Sequence, residues 1–321
     1  GDHEALVGRF LADAEVRAAL ESVAPDGPAR IEALVRGRSA SPLQGLVSGS
    51  LDLDKIEYLR RDARFCGVPY GEVDVDRLLD ALAVVEDPAT GRLEVGVEEK
   101  GVAALESLLF AKYQMFRNVY WHHAVRAATA MYKRIVAQAL DAALVAPDEL
   151  VGQTDEALLF VLDARAREAG AGAEGAARVA RWIAALRSRR LPKRAAEVVA
   201  AELGDGAADW LAADTPLKRR VEDRLAAELG LEPGCAFLDY PAKTAMFGLD
   251  LLVRLRGGAV VRLGPGGRAG LIGLPRIADA LYRTARVLRL FTLGARRAVD
   301  PAALAALARA GPVEATRRLE S

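Results

Sequence analysis

The sequence predicts a mainly α-helical protein with a small α+β lobe at its C-terminal end. Apolar residues recur at helical spacing over most of the chain, and residues 100–144 form the longest such stretch, without a proline. Short strand-like segments separated by glycine turns occur mainly after residue 230, where the composition changes. A last helical segment opens with Asp300, a good N-cap residue, followed by Pro301.

Helices are predicted from the apolar period and from the residues that break it. The predicted helices cover residues 3–23, 28–37, 42–48, 52–65, 100–144, 155–168, 176–188, 274–285 and 300–319. Residues 169–173, Ala-Gly-Ala-Gly-Ala, form a flexible break. Proline cannot continue a helix without a kink, so Gly311-Pro312 should interrupt the last helix.

Strands are predicted where short apolar runs flank turn residues. Residues 84–97 should form a hairpin around the turn 87–91, Asp-Pro-Ala-Thr-Gly. The strands predicted after residue 230 cover 235–240, 249–256, 259–263 and 287–292, with Gly257-Gly258 as the turn of a second hairpin.

The composition is that of a globular protein, with 52% hydrophobic and 27% charged residues among 321. Acidic and basic residues number 44 each, which argues against an extended nucleic-acid surface. Cys66 and Cys235 have neither metal-site spacing nor a disulfide framework. No apolar run is long enough to span a membrane. We therefore expect a cytoplasmic protein that does not bind a membrane.

The most informative segment is residues 48–62, Ser-Gly-Ser-Leu-Asp-Leu-Asp-Lys-Ile-Glu-Tyr-Leu-Arg-Arg-Asp. Because a helix turns once in about 3.6 residues, Asp54, Tyr58 and Asp62 stack along one face. The apolar residues that can anchor this helix lie on or near another face: Leu53, Ile56 and Leu59. Such a stripe can combine a metal ligand, a phosphate-binding cation and a hydroxyl that orients substrate. A solvated face with salt bridges has the same spacing and remains the alternative interpretation.

This segment resembles the last metal-ligand motif of the HD-domain phosphohydrolases, in particular the deoxynucleoside triphosphate triphosphohydrolases. In that family a Ser-Gly or Asn-Gly turn leads into a helix of the form Asp-x-Asp-Lys-x-Asp/Glu-Tyr-x-x-Arg-Asp. The resemblance implies that Asp54 binds a divalent metal ion and that Lys55 contacts substrate phosphate. It also implies that Tyr58 and Asp62 line the substrate pocket. Residues 66–71, Cys-Gly-Val-Pro-Tyr-Gly, resemble the loop that follows the helix.

Two further stretches carry the same resemblance. The opening Gly-Asp-His-Glu resembles a family His-Glu pair, which implies that His3 is a general acid near the scissile phosphate. Residues 112–123 resemble the family run Arg-Tyr-x-Met-Tyr-x-x-Val-Tyr-x-His. By position, Lys112 should touch phosphate, Tyr120 should stack on the sugar, and His122 should line the nucleotide pocket.

Residues 189–194 form a compact basic cluster, Arg-Arg-Leu-Pro-Lys-Arg. The resembling enzymes have Arg-x-Leu-Phe/Tyr-Lys here, and its cations can bind the phosphates of an effector nucleotide. The resemblance therefore implies effector-binding roles for Arg189 and Lys193, although Pro192 stands where the family has an aromatic residue. A charged helix terminus, favoured by the helix dipole, is the alternative interpretation.

The sequence departs from the family in its metal ligands. An HD site needs an upstream His and a His-Asp doublet, but the histidines are His3, His122 and His123, and no His-Asp dipeptide occurs. A catalytic divalent ion usually needs three or more ligands. We therefore expect a divalent metal (Mn, Mg, Fe, Ni or Zn, which the sequence does not distinguish) only if the missing ligands are supplied. We interpret the chain as lacking the N-terminal His…His-Asp part and as inactive by itself.

We predict three segments: an HD-type domain truncated at its N-terminus in 1–145, a helical extension in 146–230, and a small α+β lobe with a terminal helix in 231–321. The predicted function is metal-dependent hydrolysis of (deoxy)nucleoside triphosphates or a related phosphoester, in a homo-oligomer that the resemblance implies. The alternative is a degenerate, non-catalytic helical module that binds nucleotides or scaffolds an oligomer.

Overall fold

The computed structural model describes residues 3–170, 173–242, 248–295 and 297–320, with only the backbone described for His3 and Arg318. The chain separates into two compact units. The first comprises Gly1–Met115 and Ala245–Leu281, and the second comprises Phe116–Thr244 and Tyr282–Ser321. Each unit contains its own small sheet. The predicted fold class, mainly α with a small α+β part, is confirmed.

Helices make up most of the described elements. In chain order they are α1 (Val7–Leu11), α2 (Ala14–Val23), α3 (Gly27–Val35), α4 (Gln44–Val47), α5 (Leu53–Cys66), α6 (Val75–Leu79), α7 (Val102–Met115), α8 (His123–Asp141), α9 (Asp155–Glu168), α10 (Glu174–Arg187), α11 (Ala200–Leu203), α12 (Pro216–Glu228), α13 (Ala278–Ala285) and α14 (Pro301–Glu320). The strands are β1 (Leu82–Glu86), β2 (Leu93–Glu98), β3 (Lys193–Val199), β4 (Ala236–Asp239), β5 (Leu251–Arg254), β6 (Val260–Leu263) and β7 (Val287–Thr292). None of the described helices is both long and apolar enough to cross a membrane.

The sheet of the first unit has the strand order β1-β2-β5-β6. It contains both predicted hairpins, because β1 pairs with β2 and β5 pairs with β6 in antiparallel register. A parallel pairing of β2 with β5 joins the hairpins and sets Gly96 opposite Leu252. The strands after residue 230 are therefore divided between two sheets, which local sequence signals did not indicate.

Two helices form the core of the first unit beside this sheet. α7 is buried on nearly all sides, with Leu105, Leu108 and Met115 among its buried residues. α7 packs against α5, which buries a single apolar stripe and exposes its polar face. Burial of these apolar side chains is the main driving force for docking α5 in one rotational setting.

The second unit packs α8, α9 and α10 together, with Trp182 fully buried among them. The Trp182 indole N–H donates to the carbonyl oxygen of Gly234 at 3.0 Å, so its polar atom is satisfied. The sheet of this unit has the order β3-β7-β4, entirely antiparallel. Phe237 and Phe291, which face each other on β4 and β7, extend the same core.

A buried ion-pair group ties α8, α12 and β4 together inside the second unit. The Arg134 guanidinium lies 3.4 Å from the Glu222 carboxylate and 3.2 Å from that of Asp223. Glu222 also accepts a hydrogen bond from the Leu238 backbone N–H at 2.8 Å. Burial raises the pKa of the Glu222 carboxyl, while the positive charges of Lys218 and Arg134 oppose that rise. Removal of one partner would leave a buried charge uncompensated.

The single helix predicted over 100–144 is wrong, because a π-helical turn, Phe116–Tyr120, separates α7 from α8. The Trp121 backbone N–H donates to the carbonyl oxygen of Phe116 at 2.7 Å, a reach of five residues instead of four. By contrast, the predicted break in the last helix is confirmed, since Gly311 has a φ of 72° inside α14. Asp300 caps that helix by accepting from the Ala302 N–H at 2.9 Å.

The close approach of β2 to β5 makes a prediction about Gly96. A Cβ at this position would lie 2.6 Å from the Leu252 carbonyl oxygen and 2.7 Å from a Val85 methyl group. We expect Gly96→Ala to lower the free energy of unfolding by about 1–3 kcal/mol, the usual cost of overpacking, as measured by urea denaturation. Gly257→Ala is the matched control, because a Cβ there meets no atom within 4 Å. Equal losses in the two variants would contradict the close pairing.

Candidate functional site

The candidate site is built on α5, and the buried side of this helix decides which residues it presents. Its buried residues are Ile56, Leu59 and Ala63. On the other side Asp54 is exposed, while Tyr58 and Asp62 are half-buried. The stacking predicted from the helical period is therefore the arrangement that the structure has.

A tight turn fixes the N-terminal end of α5. The Ser50 hydroxyl accepts a hydrogen bond from the Asp250 N–H at 2.8 Å, which ties the turn to the segment before β5. A Cβ at Gly49 would lie 2.7 Å from the Gly45 carbonyl oxygen, so the turn requires a glycine here. Asp52 is the N-cap of α5, since its carboxylate accepts from the Lys55 backbone N–H at 2.9 Å.

The ammonium group of Lys55 is engaged at the same turn. It donates to the Gly49 carbonyl oxygen at 2.7 Å and also to the Asp52 carboxylate. The two side chains are 23% and 14% exposed, for Lys55 and Asp52 respectively, so the ion pair is largely withdrawn from solvent. The predicted phosphate-binding lysine is therefore held by an aspartate that is not among the predicted site residues. The signal for Asp52 is present in the sequence as an N-cap aspartate three residues before the lysine.

Burial, together with three carboxylates, determines the protonation of Tyr58. Burial, and then the negative charges of Asp52, Asp54 and Asp62, raise the pKa of the Tyr58 phenol to about 12. The phenol therefore stays protonated at neutral pH and can donate a hydrogen bond. This coupling also shows that the predicted residues Asp54, Tyr58 and Asp62 share one electrostatic environment.

Asp54 by itself does not make a metal site. It is an exposed carboxylate in the first turn of α5. In the part of the chain that the structure describes, no group of three or more His, Cys, Asp or Glu residues is placed to hold a metal ion. A catalytic divalent ion usually needs at least three ligands. Asp54 alone therefore does not fit such an ion. The role of Asp54 as one metal ligand stays a prediction.

The other predicted substrate residues are divided between the units. Lys112 lies on α7 in the first unit and is 7% exposed. Tyr120 lies in the π-helical turn of the second unit, where its ring is 5.1 Å from that of Phe116. His122 is exposed and caps α8, with its Nδ1 accepting from the Ala124 N–H at 3.4 Å. The side chain of His3 lies outside the described part of the structure.

A basic cavity of about 720 Å³ lies in the second unit, where α10 is followed by β3. Both predicted effector residues line it, together with three more cations and one carboxylate; the charged lining residues are Arg181, Arg189, Arg190, Lys193, Arg297 and Glu232. Arg189 adopts the left-handed conformation with a φ of 56°, just after α10 ends, and Lys193 opens β3. The alternative interpretation, a charged helix terminus, therefore fits Arg189 at the end of α10 but not Lys193, which lies on β3.

Residues 73–265 match the family model described as the HD associated region. The chain belongs to this HD-associated region family. The match covers more than half of the chain and confirms the predicted relationship to the HD-domain superfamily. The deoxynucleoside triphosphate branch stays a prediction.

Other proteins are similar to this chain in sequence or in fold. Protein MJ1154 of Methanocaldococcus jannaschii is 34% identical over 130 residues, which are 40% of this chain and 28% of that protein. YwfO of Bacillus subtilis is 32% identical over 140 residues, 43% of this chain and 31% of that protein. The chain thus spans less than a third of the length of these curated relatives. A phosphohydrolase of Bacteroides thetaiotaomicron has a similar fold, with a TM-score of 0.57 at 16% identity, over 91% of this chain and 71% of that one.

The environment of Tyr58 makes a prediction about its titration. Phenolate absorbance can be monitored after rapid pH jumps in wild type and in Tyr58→Phe. The difference between their titration curves should be that of one tyrosine with a pKa of about 12. Asp54→Asn and Asp62→Asn should each lower the pKa of Tyr58, because each removes a negative charge that disfavours the phenolate. Glu57→Gln, which lies on a different side of α5, should leave it unchanged.

The same shift has a consequence for stability. The folded chain holds the Tyr58 proton more tightly than the unfolded chain, whose tyrosine pKa is about 10. This contribution to stability is therefore present below pH 10 and is lost as the pH rises from about 10 through about 12. A difference spectrum in which Tyr58 titrates at about pH 10 would contradict the described environment.

Proposed function

We propose that this chain supplies substrate-binding residues of a phosphohydrolase that acts on (deoxy)nucleoside triphosphates or a related phosphoester. The observation that carries the proposal is α5, which carries Asp54, Lys55, Tyr58 and Asp62 in the order of the HD motif. The fold shared with a protein named as a phosphohydrolase supports it.

Each side chain has a distinct part in this proposal. The Lys55 ammonium lies near the positive end of the α5 dipole, where a phosphate chain is favoured. Lys112, on α7 of the same unit and 7% exposed, has the phosphate-contacting role that the motif implies. The Tyr58 phenol donates, and the Asp62 carboxylate accepts, hydrogen bonds that orient the sugar. Tyr120, His122 and His3 have the roles that the motif implies for them, which are sugar stacking, lining of a nucleotide pocket and protonation of the leaving oxygen.

We assign hydrolysis to a protein that combines this region with the metal ligands that the motif requires, since the curated relatives are more than three times as long as the matched segment. The chain itself should bind substrate without hydrolysing it, because its sequence contains no His-Asp doublet. The finer reaction, release of triphosphate from a deoxynucleotide, and the homo-oligomer belong to the same proposal.

The basic cavity supports a second, non-catalytic role in binding a nucleotide effector. Arg181 pairs with Glu232, so the four other lining cations outnumber the acidic groups of the cavity. An excess of guanidinium and ammonium groups around a space of about 720 Å³ suits a nucleoside triphosphate. Pro192 supplies no aromatic ring, so the phosphates should dominate recognition.

The phosphate role of Lys55 is tested by Lys55→Gln. We expect the Kd for inorganic tripolyphosphate to rise about tenfold or more in calorimetric titration, because a charge-assisted hydrogen bond is lost. Arg64→Gln is the matched control: it removes the same charge from α5, nine residues on and therefore about 180° around the helix. If both variants lose the same affinity for tripolyphosphate, the effect comes from overall charge and the assignment of Lys55 is contradicted.

The effector cavity is tested by the double variant Arg189→Gln/Lys193→Gln. Its affinity for a deoxynucleoside triphosphate should fall about tenfold or more, measured in the Lys55→Gln background so that binding at α5 does not contribute. Arg224→Gln/Arg317→Gln removes two charges elsewhere in the same unit and should have little effect. If the two double variants bind alike, the cavity is not a nucleotide site.

A further inference from the structure

We propose that Asp52 is a positioning residue that controls whether Lys55 is available to a phosphate chain. The inference rests on the proposed function, because phosphate recognition by Lys55 belongs to that function. It goes further in assigning to Asp52 the role of an internal competitor for the lysine ammonium. The HD-like motif gives this aspartate no contact with substrate.

The two oxygens of the Asp52 carboxylate bind two different groups of the same residue. One oxygen accepts from the Lys55 backbone N–H at 2.9 Å, which makes Asp52 the N-cap of α5. The other oxygen accepts from the Lys55 ammonium. The cap fixes the orientation of the carboxylate, so the ammonium has an anionic partner whose position is set by the helix itself.

The Lys55 ammonium has a second hydrogen-bond acceptor. The Gly49 carbonyl oxygen accepts from the same ammonium at 2.7 Å. An ammonium group has three N–H donors, and these two contacts leave one for a ligand. Because both side chains are largely withdrawn from solvent, their attraction is screened less than that of an exposed pair. A phosphate chain must therefore compete with Asp52 for the charge of Lys55.

The Asp52 carboxylate keeps a hydrogen-bond donor when Lys55 binds a phosphate chain. When the ammonium moves to a phosphate oxygen, Asp52 keeps the hydrogen bond from the Lys55 backbone N–H, so a capped helix end remains. Before the exchange, Asp52 and Lys55 together carry no net charge at a helix N-terminus that would otherwise attract anions. Asp52 thus lowers the resting affinity of this helix end for a polyanion and leaves the ammonium transferable.

The test uses the full chain with Asp52→Asn, since asparagine caps a helix about as well as aspartate but carries no charge. The first measurement needs no ligand: the rate at which an amine-reactive reagent modifies Lys55, followed by mass spectrometry, should rise several-fold. The second is calorimetric titration with inorganic tripolyphosphate, for which the Kd should fall about threefold to tenfold. Asp52→Ser, which also keeps a capping side chain, should behave in the same way.

The matched control is Asp74→Asn. Asp74 caps α6 by accepting from the Arg77 N–H at 3.1 Å, and among the described residues it has no ammonium partner. This variant should change neither the modification of Lys55 nor the affinity for tripolyphosphate. The gain in affinity should also disappear in Asp52→Asn/Lys55→Gln, because it acts through the lysine.

Three results would overturn the control by Asp52. The first is an unchanged modification rate of Lys55 in Asp52→Asn. The second is a raised rate with no gain in tripolyphosphate affinity. The third is a gain that persists in Asp52→Asn/Lys55→Gln. Failure of the proposed function is distinguishable, since wild type and Lys55→Gln would then bind tripolyphosphate equally while Asp52→Asn still speeds modification of Lys55.

Discussion

The rotational setting of α5 is the constraint on which the candidate site depends. Burial of Ile56, Leu59 and Ala63 leaves one orientation in which the helix can pack on α7. Since residues four apart lie on the same face, that orientation also decides where Asp54 and Tyr58 stand. The apolar side of the helix thus fixes the direction in which its polar side chains point.

The candidate site on α5 and the basic cavity of the second unit differ in the balance of their charged groups. At the end of α5, three carboxylates surround Tyr58, and the Lys55 ammonium is already neutralised by one of them. In the second unit, guanidinium and ammonium groups exceed the carboxylates around the basic cavity. A phosphate chain would meet a competitor at the first place and an uncompensated positive field at the second. The same ligand class would therefore be bound under different control in each unit.

Local signals predicted the elements that depend on local chemistry. The helix carrying the motif, both hairpins and the kink at Gly311 follow from periodicity, turn residues and backbone freedom, all of which act over a few residues. The π-helical turn at 116–120 was not predictable in this way, because a shift from four-residue to five-residue hydrogen bonds leaves the apolar pattern almost unchanged. The ion pair between Asp52 and Lys55 was not predicted either, because the motif assigns a role only to the second aspartate.

By itself, the sequence determined the helical face of Asp54, Tyr58 and Asp62, the mainly α class and the relationship to HD-domain proteins. Only the tertiary structure decided that β2 pairs in parallel with β5, which brings Gly96 beside Leu252 across more than 150 intervening residues. It alone also gathered Arg181 and Arg297 around the predicted effector residues. The physical reason is that strand pairing and cavity walls join distant segments, whereas helical period and capping act between near neighbours.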